Sequence, residues 1–323
     1  MRLRSKLIEM TKTALVIGCG GTIGGAWTVA ALQALAEQTG ADPAEAAVLQ
    51  GTSAGAEIVT MLGGGASVTD LVAMHRGQAT DPRLRRHIED TPRGLPPVPR
   101  PRFLNPKLVR SESGLAAVTG IAPTGRGDAA WLQRLADGFQ QADGRLAHPD
   151  TRMVAYDFQH AERVAFGAVG SPKATVAEAL RASWAIPGWM PPVSIDDRRY
   201  VDGGAASTAS VDLIDPEDAE VVYVVAPMAS APGVRVPGIG GGAEYRLLRR
   251  PMSTGLWAEI AMARARGQRV VPIVPTAADL AALGANFMNR SKRRAAFEAA
   301  MRTAPSTVRD ALKADGASSG VGA

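Results

Sequence analysis

Twice before residue 65 the chain passes from a short apolar run, through a glycine-rich turn, into a stretch with helical spacing. The first passage is Thr13-Ala14-Leu15-Val16-Ile17 followed by Gly18-Cys19-Gly20-Gly21. The second is Val48-Leu49-Gln50 followed by Gly51-Thr52-Ser53-Ala54-Gly55. A continuous apolar run of that length is what a strand covered on both faces requires. Repetition of strand, tight turn and helix gives parallel strands with helices packed over them. The fold expected is therefore α/β, a three-layer α/β/α sandwich around a mostly parallel sheet.

The rest of the chain extends this pattern. Helices are expected from about Gly24 to Gln38, with Gly40 as the stop signal, and from Ala54 to Leu62, ending at Gly63-Gly64-Gly65. Further helices are expected near Asp128–Phe139 and over Thr175–Ser183. Arg152–Asp157 and Arg163–Phe166 read as two strands joined by a polar turn, and Val221–Val225 as a β-branched strand. Val270–Val274 reads as a last strand that Pro272 pushes to a sheet edge. Two C-terminal helices follow. Residues 77–127 differ: Arg83, Arg85, Arg86, Arg93, Arg100 and Arg102 alternate with Pro92, Pro96, Pro97, Pro99, Pro101 and Pro106. That proline density argues against regular helix or central strand. The organisation expected is an extension over 1–12, one domain over 13–303 carrying an insertion at about 77–127, and a partly disordered tail over 304–323.

Composition narrows the chemistry. The 323 residues are 46% hydrophobic and 21% charged, enough for a substantial core. The one cysteine, Cys19, excludes an intrachain disulfide. The net charge of +5 permits attraction to anionic lipid without requiring it. No run approaches the length of a membrane span, and no signal-peptide pattern precedes the first strand. The location expected is cytoplasmic, with peripheral membrane contact permitted. Aromatic side chains that could stack on bases are nearly absent from the arginine-rich insertion, so nucleic acid is not an expected partner. Oligomeric state is not legible.

Ser53 sits where a strand turns sharply into a helix, which projects its hydroxyl outward while Gly51 and Gly55 let the backbones approach. A hydroxyl there needs a base. The four histidines, His75, His87, His148 and His160, all precede residue 161, in the wrong order for a conventional Ser–acid–His arrangement. His160 and His87 read as solvated. A desolvated carboxylate can serve instead. Asp202, in Tyr200-Val201-Asp202-Gly203-Gly204, follows a strand and is fixed by a glycine turn. The loop Gly18-Cys19-Gly20-Gly21-Thr22-Ile23-Gly24 can present N–H groups to an anion. A dinucleotide phosphate is the rival occupant. That reading wants an acidic residue at the end of the second strand, where Gln50-Gly51-Thr52-Ser53 stands instead. Cys19 reads as a small buried residue.

Together these residues resemble the patatin-like phospholipases, over roughly 13–226. The most specific stretch is Ala179-Leu180-Arg181-Ala182-Ser183-Trp184-Ala185-Ile186-Pro187-Gly188-Trp189-Met190-Pro191-Pro192, running on to Arg199-Tyr200-Val201-Asp202-Gly203-Gly204. The resemblance implies a Ser–Asp dyad, with Ser53 the nucleophile and Asp202 the base. Gly20 and Gly21, with Ala54, would be oxyanion donors, and no metal or cofactor would be needed. The activity implied is hydrolysis of a lipid acyl ester through an acyl-enzyme. The chain departs from the family's glycine loop twice: Cys19 replaces the first glycine, and Ile23 replaces the basic residue. Ile23 sustains a second expectation, an impaired relative that only binds a lipid or acyl ligand.

Overall fold

The computed structural model describes residues 11–92, 97–105 and 119–319. Five parallel strands form the centre of the sheet: β10 (Arg269–Ile273), β9 (Val221–Val225), β1 (Thr13–Ile17), β2 (Val48–Thr52) and β5 (Thr151–Asp157), side by side in that order. Pro272 lies on β10, at the sheet edge, as its missing N–H requires. β6 (Glu162–Phe166) and β8 (Arg198–Asp202) run antiparallel to β5, and β7 (Val193–Ile195) runs antiparallel to β8.

Strand alternation sorts the layers. On β1, Leu15 and Ile17 point into the larger core, with α1 (Gly21–Thr39), α2 (Ala54–Gly63) and α10 (Arg293–Ser319). Ala14 and Val16 point the other way, onto Leu256, Ile260 and Ala263 of α8 (Arg250–Ala265). Both faces of the sheet are covered, so the three-layer α/β/α architecture stands. Helix α1 is buried on nearly all sides, Trp27 included, because α10 covers the flank the sheet does not reach. Gly40 ends α1 in the left-handed conformation, φ 70°.

Two expectations are corrected. The arginine- and proline-rich insertion does hold a regular helix, α4 (Pro82–Asp90), which follows α3 (Val68–Arg76). Pro82 occupies its first turn, where a missing N–H costs nothing, and the Asp81 carboxylate caps the next donor, Arg83 N–H. Arg100–Phe103 and Pro123–Thr124 add strands β3 and β4, a separate antiparallel pair. Arg93, Pro96 and Pro106 lie outside the described residues, as do residues 1–10 of the extension. The chain beyond residue 304, expected to be a partly disordered tail, is helical to Ser319, and residues 320–323 lie outside the described residues. Ala300, Ala304 and Val308 recur at helical spacing as a buried stripe. The remaining helices are α5 (Ala130–Phe139), α6 (Val176–Ser183), α7 (Gly238–Glu244), continued as a π turn over Tyr245–Arg249, and α9 (Ala277–Leu283). Among the described residues no helix is long and apolar enough to cross a membrane.

Candidate active site

The position of the site follows from how β5 is shared. Met153 and Val154 pair with β2 and with β6; Ala155, Tyr156 and Asp157 pair with β6 and with β8. A strand has two edges, so β2 and β8 lie end to end along the same edge of β5. Thr52 stands opposite Val154, and Asp202 stands opposite the next residue, Ala155. The residue that leaves β2, Ser53, is thereby brought to the residue that ends β8.

Ser53 adopts φ 57°, ψ −118°, a strained conformation for a residue with a side chain. The glycines around it are sterically required. A Cβ on Gly51 would lie 2.4 Å from the Gly55 carbonyl oxygen, and one on Gly55 would lie 2.2 Å from the Ile17 carbonyl oxygen. Ser53 N–H donates to Ser183 Oγ at 3.0 Å, and Ser183 Oγ–H donates to the Val154 carbonyl at 2.7 Å. Asp202 N–H donates to the Ala185 carbonyl at 3.0 Å. The Ala182–Ile186 segment thus ties both ends of the pair to one support. Ser183 was quoted in the sequence pattern without a role. Its burial on the last turn of α6 gives it one.

Ser53 is 2% exposed and Asp202 4%. Burial pushes the Asp202 carboxyl from 3.8 up to about 7, opposed by a hydrogen bond with Ser53 and by one from Gly204 N–H at 2.7 Å. Gly203 and Gly204 form the 3-10 turn that Asp202 caps. A side chain on Gly204 would press on the site: its Cβ would lie 3.0 Å from Asp202 Oδ1 and 3.1 Å from Cys19 Sγ, each of which would have to shift by a few tenths of an ångström. Cys19 is buried, with Sγ 3.3 Å from Thr208 Oγ1. Burial first, and the Asp202 charge second, push its thiol up to about 12, which makes it inert packing.

The glycine loop lies across from the pair. Gly18 packs on the Thr208 carbonyl, and Gly20 and Gly24 pack on Pro227, each too closely for a side chain to enter without displacing its neighbour. Gly21 has φ 56°, and a Cβ there would meet Met288 and Phe287. The N–H groups of Gly20, Gly21 and Ala54 make no hydrogen bond to any described residue. Gly20 and Gly21 border the same cavity as Ser53 and Asp202, a space of about 230 Å³. Its walls are apolar, with Ile186, Pro187, Met228, Leu248, Met252 and Phe287. Ala54, at the first position of α2, faces a neighbouring cavity instead.

The histidines stand apart from this pair. His160 is exposed, with Nδ1 2.7 Å from Asp157. His148 binds the Ala46 carbonyl through Nε2 at 2.8 Å. His87 is not solvated as its charged surroundings implied. It is buried, with Nε2 3.1 Å from Glu57, because α4 folds down onto α5 and stacks it near Trp131. Among the described residues no group of three or more His, Cys, Asp or Glu side chains converges closely enough to hold a metal ion.

Among the solved structures that are similar, two at low identity illustrate the likeness. One is VipD from Legionella pneumophila, 14% identical over 93% of this chain and 67% of that one, with a TM-score of 0.42. The other is the acyltransferase domain of an iterative polyketide synthase in enediyne biosynthesis, 15% identical over 90% of this chain and 71% of that one, with a TM-score of 0.26. Neither superposition is close enough to bear on function. No curated protein matches the chain. The family model for patatin-like phospholipase matches residues 15–215, a span that holds the glycine loop, the Ser53 turn, the Ser183 support and Asp202, and the chain belongs to that family.

Proposed function

We propose that the protein is a serine acyl hydrolase in which Ser53 and Asp202 form a catalytic dyad that cleaves a lipid acyl ester. The observation that carries this reading is a buried carboxyl beside a strained serine, with its pKa raised to about 7. Such a carboxylate is far more basic than a solvated one, and its basicity matches the task near neutral pH. Asp202 takes the Ser53 proton as Oγ bonds to the ester carbonyl carbon. The carbonyl electrons move to oxygen, where the Gly20 and Gly21 N–H groups and the positive end of α2 stabilise them. On collapse the C–O bond to the alcohol breaks, and Asp202 returns the proton to the departing oxygen. Water then attacks the acyl-enzyme, again giving its proton to Asp202, and the acid leaves as Ser53 regains its hydrogen.

The apolar cavity beside Ser53 suits an acyl chain. Its rim suits a lipid surface. Leu247, on that rim, is 71% exposed, and Ile121, next to the rim residue Ala122, is 51% exposed. Arg246 and Arg250 flank Leu247 and are exposed, adding attraction to anionic headgroups. Ser53→Ala should lower hydrolysis of p-nitrophenyl butyrate by about 10⁴-fold or more and abolish labelling by a fluorophosphonate probe. Undiminished turnover in Ser53→Ala would overturn the assignment. A wild-type chain that binds acyl ligands but refuses the probe would establish the binding-only alternative.

A further inference from the structure

Beside the glycine loop lies a second cavity, smaller and with a more polar lining, with a volume of about 50 Å³. It has room for about four water-sized spheres, the size of a carboxylate or phosphate group. Gly21 borders both cavities, and Ala54 follows Ser53 directly, so the two spaces abut across the starts of α1 and α2. Two arginines and two histidines line the smaller one, Arg290, Arg293, His75 and His87, with one carboxylate, Glu57; burial lowers the His75 pKa to about 3, so its ring is a neutral hydrogen-bonding group there.

Among the described residues, Arg293 and His75 are lining groups left without a polar partner. Glu57 is taken by His87 Nε2, and Arg290 donates to the Ile88 carbonyl. Arg293 forms no ion pair or hydrogen bond with any described residue. Burial and the Arg290 charge lower its pKa, the mark of two cations held together in a partly desolvated place. His75 is more than nine-tenths buried, yet neither ring nitrogen is hydrogen-bonded to a described residue. Its stack on Phe297, 5.1 Å between ring centres, fixes the ring but satisfies no polar atom. Gly21 and Thr22, which begin α1, and Ala54, which begins α2, line the same space, so the positive ends of two helices lie beside it.

We propose that this cavity is a binding site for a compact oxyanion, a carboxylate or phosphate, held by Arg293, Arg290, His75 and the starts of α1 and α2. Resting on the Ser53 reading, the preferred substrate is an ester that carries such a group near its scissile carbonyl. The anion occupies the basic cavity across Gly21, and the remainder of the ester occupies the apolar one. Ile23 gains a context here. Its side chain is buried in the core, and the positive charge beside the loop comes instead from Arg290 and Arg293. Both lie beyond residue 215, where the family match ends.

Two measurements test this on the full chain. The first is calorimetric titration of inorganic phosphate into wild type, Arg293→Gln and Arg293→Lys, with Arg290→Gln as a second variant in case the first misfolds. The second is the ratio of kcat/KM for mono-p-nitrophenyl glutarate over p-nitrophenyl butyrate in the same proteins. Binding of one phosphate per chain, weakened at least about tenfold in the Gln variants and largely kept in the Lys variant, establishes the site for the free ion. A similar fall in the kinetic ratio establishes that substrate delivers the anion. If phosphate binds but the ratio stays fixed, the substrate half is refuted. If wild type binds no phosphate and the ratio is unmoved, the whole inference falls. Phosphate binding persists in Ser53→Ala, so failure of the esterase reading is read separately.

Discussion

Asp202→Asn separates what the dyad needs from what the fold needs. The substitution removes one charge, keeps the size, and keeps an oxygen to accept from Gly204 N–H. In wild type, burial raises the carboxyl from 3.8 to about 7. A raised acid holds its proton more tightly folded than unfolded. Over that interval the native chain therefore carries more protons, and stability falls as pH rises. At about 1.4 kcal/mol per tenfold change in acidity, the full penalty above neutral pH is about 4 kcal/mol. The asparagine amide brings an N–H₂ with no assured partner, a cost of about 1–3 kcal/mol at every pH. Asp202→Asn should therefore equal or trail wild type below about pH 4, gain steadily to about pH 7, and exceed it by about 1–3 kcal/mol beyond. Urea unfolding midpoints of both proteins at a series of pH values measure the difference directly. The variant should also have lost its turnover, while wild-type kcat/KM climbs through about pH 7 to a plateau. A stability difference that is flat with pH, or that favours wild type as pH rises, would refute the claim that burial sets the basicity of Asp202.

Three further outcomes follow from the same geometry. Gly55→Ala should destabilise by about 3 kcal/mol or more, since its Cβ would meet the Ile17 and Gly18 backbones, which cannot move aside; a melting temperature within about 2 °C of wild type would contradict this. Ser183→Ala strips the acceptor from Ser53 N–H and a donor from Val154, costing about 1–3 kcal/mol; kcat should drop with KM little changed, and an unaltered kcat would remove Ser183 as the support. Leu247→Asp should abolish sedimentation with phosphatidylserine-containing vesicles, which in wild type weakens with salt; equal sedimentation of both proteins would take Leu247 out of the rim.

Much of the fold was legible because its signals are local. Leu15 and Ile17 alternate with Ala14 and Val16 in a run too apolar to face water, which fixes a strand covered on both sides. Gly40, Gly51 and Gly55 punctuate the chain where backbone geometry demands it, and Pro272 could stand only at a sheet edge. The misreadings came where tertiary contact overrode composition. The proline density of residues 77–127 argued against a regular helix there, but α4 ends before Pro92, and Pro82 sits at its first turn, where a missing N–H is harmless. His87 looked solvated among arginines, but the fold of α4 onto α5 buries it against Glu57. The residues past 304 looked like a tail, but their alanine and valine stripe packs into the main core.

The sequence by itself determined that a serine stands on a strand-to-helix elbow and an aspartate on a glycine turn, because each motif is built from adjacent residues. Only the tertiary structure decided that they meet. That depends on β2 and β8 each pairing with β5, end to end on one of its edges, which no local stretch of sequence signals. It also decided that Phe287 closes the apolar cavity while Arg290 and Arg293 charge the one beside it. Burial, the quantity that sets the chemistry of Asp202, belongs to no single stretch of chain and arises only when all of them pack.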